Sequence, residues 1–487
     1  MKKTIALLIL ASLLLSACGT GTQEQQDTAP AETDAITEQT EQEEQTEAET
    51  EPPVEELPFE KADYNQADIS IFSGEHAEYE YMVEEITGEV INDEIFARNS
   101  NTEDALNVKL SFVSAPNWTF DGMFYTMIRT DVQAGDNSYK IVNGINCWTT
   151  QLIFEDMFLR LDNIPTINLD NPWWVPGISI DGSDDVYFAF SDASLSLYKD
   201  LYVVFYNKEI LRQNGVEDLY EIVDNGTWTL DTFLNLANNG SKDLNGDGSI
   251  TVQDDQFAYI AKHAANRGFM ASTETSIFKT GDNGMPMLGG ISDRLATAYE
   301  KLRPFLYDAN KTFLDMEADY VLLSKPFIEG RVMFLTNCLG AVEGMRDMAD
   351  DYGIVPLPKF DETQTAYKSQ IASSSSALYM ESTASDPAMI GHVMEALGYF
   401  SNRDVIPAYY ETALNTKYAR DEQVQKALAV VRENASTNFD FTYGSIFWTC
   451  DAFNLAQQDV DLISWYRMME SSWKATLDQY LAIELNN

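Results

Sequence analysis

Apolar and polar positions along this chain fall into three regimes. Ile5–Leu15 is an apolar run behind Lys2 and Lys3, Gly19–Glu60 is poor in apolar residues, and from about Ala67 onward the pattern is that of a folded body. Within the body, Ala67-Asp-Ile-Ser-Ile-Phe alternates as a strand does, Ile91–Leu106 has helical spacing, and Val108–Val113 predicts a second strand. Tyr125–Gln133 reads as a helix, Tyr139–Asn143 as a third strand, and Gly144–Trp148 as the loop that follows. Strands alternating with helices imply a mostly parallel sheet that binds ligands beyond the carboxyl ends of its strands. Asn143 and Trp148 are expected just past such an end.

The first run is too short to cross a bilayer and has the form of a secretory signal: a basic start, an apolar centre and small residues at a cut site. It ends in Leu15-Ser-Ala-Cys18, which resembles the lipobox of bacterial lipoproteins. The resemblance implies that residues 1–17 are removed and that Cys18 carries acyl chains, palmitate among them, anchoring the chain on the outer side of a cell membrane. Between Gly19 and Glu60 stand fourteen Asp or Glu and no Lys or Arg. Such a segment cannot offset its ordering entropy, so residues 18–61 are expected to form a self-repelling tether. About 40 residues of coil reach several nanometres.

Charge narrows the function. Residues 61–487 hold 64 acidic and 29 basic side chains, a net charge of −35. That excludes nucleic acid as a natural partner and disfavours direct docking on anionic lipid. Beyond Cys18 only Cys147, Cys338 and Cys450 remain, and the three histidines are scattered, so neither a disulfide framework nor zinc ligation is indicated. His-based nucleophilic catalysis has little material to draw on.

The most specific motif is Asp243-Leu-Asn245-Gly-Asp247-Gly-Ser249-Ile-Thr251-Val-Gln-Asp254. Oxygen-bearing side chains at positions 1, 3, 5 and 12 with glycine at 6 match an EF-hand-type calcium loop. Asp243, Asn245, Asp247, the Ser249 carbonyl, Thr251 through water and Asp254 are the expected ligands of a structural Ca2+. Asp at position 12 departs from the usual Glu, with Asp255 in reserve.

This loop stands in an ordered series: Phe205-Tyr-Asn-Lys-Glu-Ile-Leu, Gly226-Thr-Trp-Thr-Leu-Asp-Thr-Phe, Phe327-Ile-Glu-Gly-Arg-Val-Met-Phe and Tyr352-Gly-Ile-Val-Pro-Leu-Pro-Lys-Phe. Over roughly residues 66–487 the chain resembles the extracellular family 1 solute-binding lipoproteins of carbohydrate ABC importers, relatives of maltose-binding protein. The resemblance implies an α/β, two-lobed periplasmic-binding-protein-like clamp whose lobes are joined by hinge crossovers. Residues 62–203 plus about 370–410 would form the N-terminal lobe, and 204–369 plus about 411–487 the C-terminal lobe. It implies a non-enzymatic monomer that hands a sugar or oligosaccharide to an ABC permease. The positions that face ligand in that family map to Asn143, Asn146 and Trp148, to Asp200, and to Asn337, Leu339 and Gly340.

Sugars present apolar C–H faces and a rim of hydroxyls, so their receptors combine aromatic platforms with amide and carboxylate groups. Trp148 is the leading platform and Trp448 a second, whereas Trp173-Trp174 reads as a structural wedge and Trp228 as packing beside an N-cap at Thr229. Two alternatives remain: a receptor of the same build for a peptide or sugar acid, and a surface-anchored glycoside hydrolase with paired carboxylates.

Overall fold

The computed structural model describes residues 57–116, 119, 122–315, 325–345, 348–413, 422–447, 452–457 and 460–483. The signal segment, Cys18, nearly all of the acidic tether and Trp448 lie outside the described residues. Residues Leu57–Asn487 cluster as one compact unit.

Strands β1 (Ala67–Gly74), β2 (Val108–Ala115), β3 (Ile141–Ile145), β4 (Trp174–Pro176) and β5 (Ala189–Ser191) belong to a first sheet. Next along the chain come β6 (Tyr202–Asn207), β7 (Phe257–Lys262), the β8–β9 hairpin (Phe278–Thr280, Pro286–Leu288), β10 (Thr312–Asp315), β11 (Val332–Cys338) and β12 (Tyr352–Val355). They are followed by β13 (Ser369–Gln370), β14 (Ser376–Met380) and β15 (Ala435–Ser436). The first sheet has the order β2-β1-β3-β14-β5-β4 and the second β10-β7-β11-β6-β12. The chain leaves the first sheet after β5 and returns to it at β14, so Asp192–Leu201 and Pro356–Ser375 are crossovers. Both sheets are mixed: β1 runs parallel to β2 and β3, whereas β14 is antiparallel to β3.

Helix α1 (Val90–Leu106) ends where Asn107 takes a left-handed conformation (φ 46°), and α2 (Met123–Ala134) ends on Gly135 (φ 72°). These are the stops that asparagine and glycine provide most cheaply. From Ile69 onward β1 is buried on both faces, as expected of a strand covered by helices on each side. Thr229 caps the helix Leu230–Ala237 through the Thr232 amide, and the fully buried Trp228 donates from Nε1 to the Pro356 carbonyl at 2.8 Å. Trp173 and Trp174 are buried too, and both indoles donate to Glu395, at 2.6 and 3.2 Å. Both tryptophan sites are therefore structural. No helix among the described residues is long and apolar enough to cross a membrane.

At the first crossover, fully buried Asp192 receives Arg432 at 2.7 Å, the Tyr198 hydroxyl at 2.8 Å and Asn402 at 2.7 Å. A buried carboxylate with three donors ties the crossover to the C-terminal helices.

Candidate functional site

Elements from both sheets converge around Asp200. It follows the short helix α4 (Ser196–Lys199) and precedes β6; its amide donates to the Ser196 carbonyl, and its own carbonyl accepts the Ala372 amide of the second crossover. The side chain is partly exposed and accepts from Ser374 and Ser375, each at 3.4 Å. Desolvation raises its carboxyl above the ordinary range, against the pull of Lys262, Lys199 and those two hydroxyls. Lys262 closes β7, so Asp200 lies beyond the carboxyl end of a second-sheet strand as well as beside the first sheet.

Lys199 bridges the two halves. Its ammonium lies 3.0 Å from Glu343, in the segment after β11, and 4.8 Å from the ring of Tyr79, in the segment after β1. Tyr79 is 39% exposed. An open aromatic ring, a lysine and two carboxylates thus stand where the two sheets meet, and these groups suit a polyhydroxyl ligand.

Beneath them lies a satisfied polar scaffold. Buried Glu80 accepts from the Asn143 side chain and the Ser196 amide, each at 2.7 Å. Asn143 in turn accepts from Ser194 at 2.8 Å, and the Arg98 guanidinium donates to the carbonyls of Glu80 and Ala193, both at 2.9 Å. Desolvation raises the Glu80 carboxyl, and its nearness to Asp200 adds to the rise.

The expected ligand residues separate by burial. β3 runs on to Ile145, so Asn143 is not past the strand end: it is a buried strand residue opposite Ser73 and Leu378, with its amide committed to Glu80 and Ser194. The expected Gly144–Trp148 loop is instead the end of β3 and one helical turn, α3 (Asn146–Thr149). Asn146 is buried, its amide donates to Ser375, and its Oδ1 has no partner. Trp148 is partly exposed and packs against the core edge. β11 reaches Cys338, which places Asn337 inside a strand, with its Oδ1 on the Cys338 amide at 2.8 Å. Leu339 is buried and donates to the Leu201 carbonyl at 2.8 Å, while Gly340 packs against Lys199 so closely that a Cβ would meet its carbonyl at 3.2 Å. Of these positions only Trp148 and Asp200 are open to solvent.

Sequence reading missed Tyr79, Lys199, Glu343, Lys262 and Arg267. The signal for Lys199 was its position beside Asp200; an ordinary tyrosine or glutamate in a loop carries none. Arg267 acts electrostatically on Cys147 across the junction. Cys147 and Cys338 are free thiols pushed up to about 12 by burial, which makes them poor nucleophiles.

In the loop 243–255, Asp243 accepts the Gly246 and Gly248 amides at 2.6 and 2.8 Å, Asp247 accepts the Ser249 amide, and Asn245 accepts that of Asp247. Gly246 and Gly248 have φ of 77° and 85°, which the sharp turn requires. Asp254 is exposed, whereas Asp255 is buried and takes the Leu244 and Thr251 amides, both at 2.8 Å. Thr251 Oγ1 is buried without a partner, a position suited to a metal-bound water. Positions 1 to 9 have the backbone turn of such a loop. No three acidic, His or Cys side chains converge among the described residues, so Asp254 has to turn inward to complete the set.

No family model and no curated protein sequence matches this chain. Its fold does match solved structures. The GacH receptor of Streptomyces glaucescens, solved unliganded and with acarbose, aligns at TM-score 0.52 and 12% identity over 85% of this chain and 99% of that one. An ABC substrate-binding protein from Listeria monocytogenes in complex with cycloalternan gives 0.51 and 11% over 85% and 99%. Maltose-bound MalE3 of T. maritima gives 0.50 and 12% over 84% and 99%. The chain therefore has the two-lobed α/β fold of ABC solute-binding proteins.

Proposed function

We propose that this protein is the solute-binding receptor of an ABC importer, capturing a sugar or oligosaccharide between its lobes and delivering it to a membrane permease. The supporting observation is the convergence of Asp200, Lys199, Glu343 and Tyr79 at the facing ends of both sheets, between two crossovers. Closure would bring further groups from each lobe onto a ligand held there, with Trp148 and Tyr79 as platforms and Asp200 as hydrogen-bond acceptor. The matched structures were solved with acarbose, cycloalternan and maltose, which supports a carbohydrate.

Cys18 would anchor the receptor to the outer face of the cell membrane, and the tether would hold it near the permease at raised effective concentration. Calcium, held by Asp243, Asn245, Asp247, Ser249, Thr251 and Asp254, would brace the second lobe without entering the cleft. Lys262 and Arg267 favour, as a second reading, a sugar bearing an acidic group. A thermal-shift screen of neutral oligosaccharides against sugar acids, run beside a chromogenic glycoside assay, tests both. Stabilisation without turnover supports a receptor and the ligand class identifies which one; hydrolysis overturns it.

A further inference from the structure

At the opposite end of the central strands β3 and β14, away from the cleft, lies a second group of acidic and amide side chains. Glu381 follows β14 and is fully buried, yet neither carboxylate oxygen has a hydrogen-bond partner. Asp131, in α2, raises that carboxyl and Asn137, just before β3, lowers it at side-chain hydrogen-bonding range, yet neither contact reaches full hydrogen-bond geometry. Asn137 is itself 6% exposed, and both its amide oxygen and its amide nitrogen lack partners. Asp131 spends one oxygen on the Ser138 amide at 2.6 Å. The nearby cation, Lys140, donates to the Asn137 carbonyl at 3.1 Å and acts on Glu381 electrostatically.

Two adjacent carboxylates and one ammonium leave a negative charge that the interior does not tolerate unpaired. A shared proton would serve one Glu381 oxygen and let the Asn137 amide donate to the other, but would leave the Asn137 carbonyl oxygen without a partner. A cation would take oxygens from Glu381, Asp131 and Asn137 together, freeing the Asn137 amide to donate to the remaining Glu381 oxygen. We propose that Asp131, Asn137 and Glu381 form a binding site for a hard divalent cation, Ca2+ or Mn2+, at the base of the first lobe. The all-oxygen donor set selects that class over zinc or copper. The ion would tie the end of α2 to the β3–β14 ladder, whose last backbone pair there is Ile141 with Met380.

The test isolates this site from the 243–254 loop. In the full chain carrying Asp243→Ala and Asp247→Ala, the site should retain about one equivalent of Mn2+ after gel filtration, and EDTA should lower Tm by several degrees. Adding Glu381→Gln should abolish both effects, and Asn137→Asp, which adds a third carboxylate, should strengthen retention. If the loop-disabled chain retains no metal and melts identically with and without EDTA, the proposal fails and the pair shares a proton or a water. Neither result bears on sugar binding, which the cleft assay reads separately.

Discussion

The two ends of β3 hold the same pair of residue types, a buried glutamate beside a buried asparagine, in opposite conditions. At the cleft end every polar atom of the Glu80–Asn143 pair has a role: Asn143 donates at 2.7 Å, the Ser196 amide donates at 2.7 Å, and Ser194 completes the amide at 2.8 Å. At the base, Glu381 and Asn137 leave four side-chain polar atoms without partners. Burial of a carboxylate is therefore not informative by itself. When donors surround it, it is scaffold, fixing the crossover on which Asp200 stands; when they are missing, it marks a place where another species belongs.

This contrast can be broken at either end. The largest effect is expected from Asn143→Ala, which strips a donor from buried Glu80 and an acceptor from Ser194: about 2–4 kcal/mol of stability, read by urea denaturation. Asn137→Ala in metal-free protein removes no formed hydrogen bond and should cost under about 1 kcal/mol. Equal losses at the two positions would erase the distinction.

Between these lies the cleft. Asp200→Asn should weaken ligand binding tenfold or more, about 1.4–3 kcal/mol, because a charged acceptor is lost. Its raised carboxyl pKa means the folded state binds a proton more readily than the unfolded chain, so the ionised form contributes no folding stability at neutral pH and the amide should melt no lower. Trp148→Ala is expected to reduce affinity by a similar factor with a smaller change in Tm; calorimetry paired with melting separates the two. Chelation of the wild-type chain should lower Tm by a few degrees, and Asp243→Ala should remove the part due to the loop.

The smallest effect is a pH term. Burial lowers His76 from 6.5 to about 4, so the unfolded chain takes up its proton first and stability falls as pH drops through that window. His76→Gln should flatten the slope between pH 6.5 and 4, measured by denaturation at fixed temperature. An unchanged slope would assign it to the carboxylates.

The framework was legible because periodicity reports local structure. β1, α1, β2 and α2 appear within about two residues of their expected ends, and the Trp228–Thr229 cap is as read. What escaped reading was how far strands run and which atoms meet across the junction. β3 ends two residues beyond expectation and β11 runs on to Cys338, which draws Asn143 and Asn337 into the sheets. Nothing local distinguishes Val-Asn-Gly-Ile as the end of a strand from the start of a loop, because hydrogen bonds to β14 settle it. The calcium-type turn was legible from Gly246 and the spaced acids, but the exposure of Asp254 and burial of Asp255 depend on how Asp255 caps two amides. Glu381 and Asn137, 244 positions apart, could meet only through the fold.

The central claim is that the Asp200 junction is a ligand-binding cleft. Isothermal titration of the full chain with a panel of oligosaccharides, repeated on Asp200→Asn, tests it most directly. The account predicts one saccharide class that binds the wild type without turnover and binds the variant at least tenfold more weakly, with Tm unchanged. A saccharide bound equally by both proteins, or cleaved by the wild type, would contradict it.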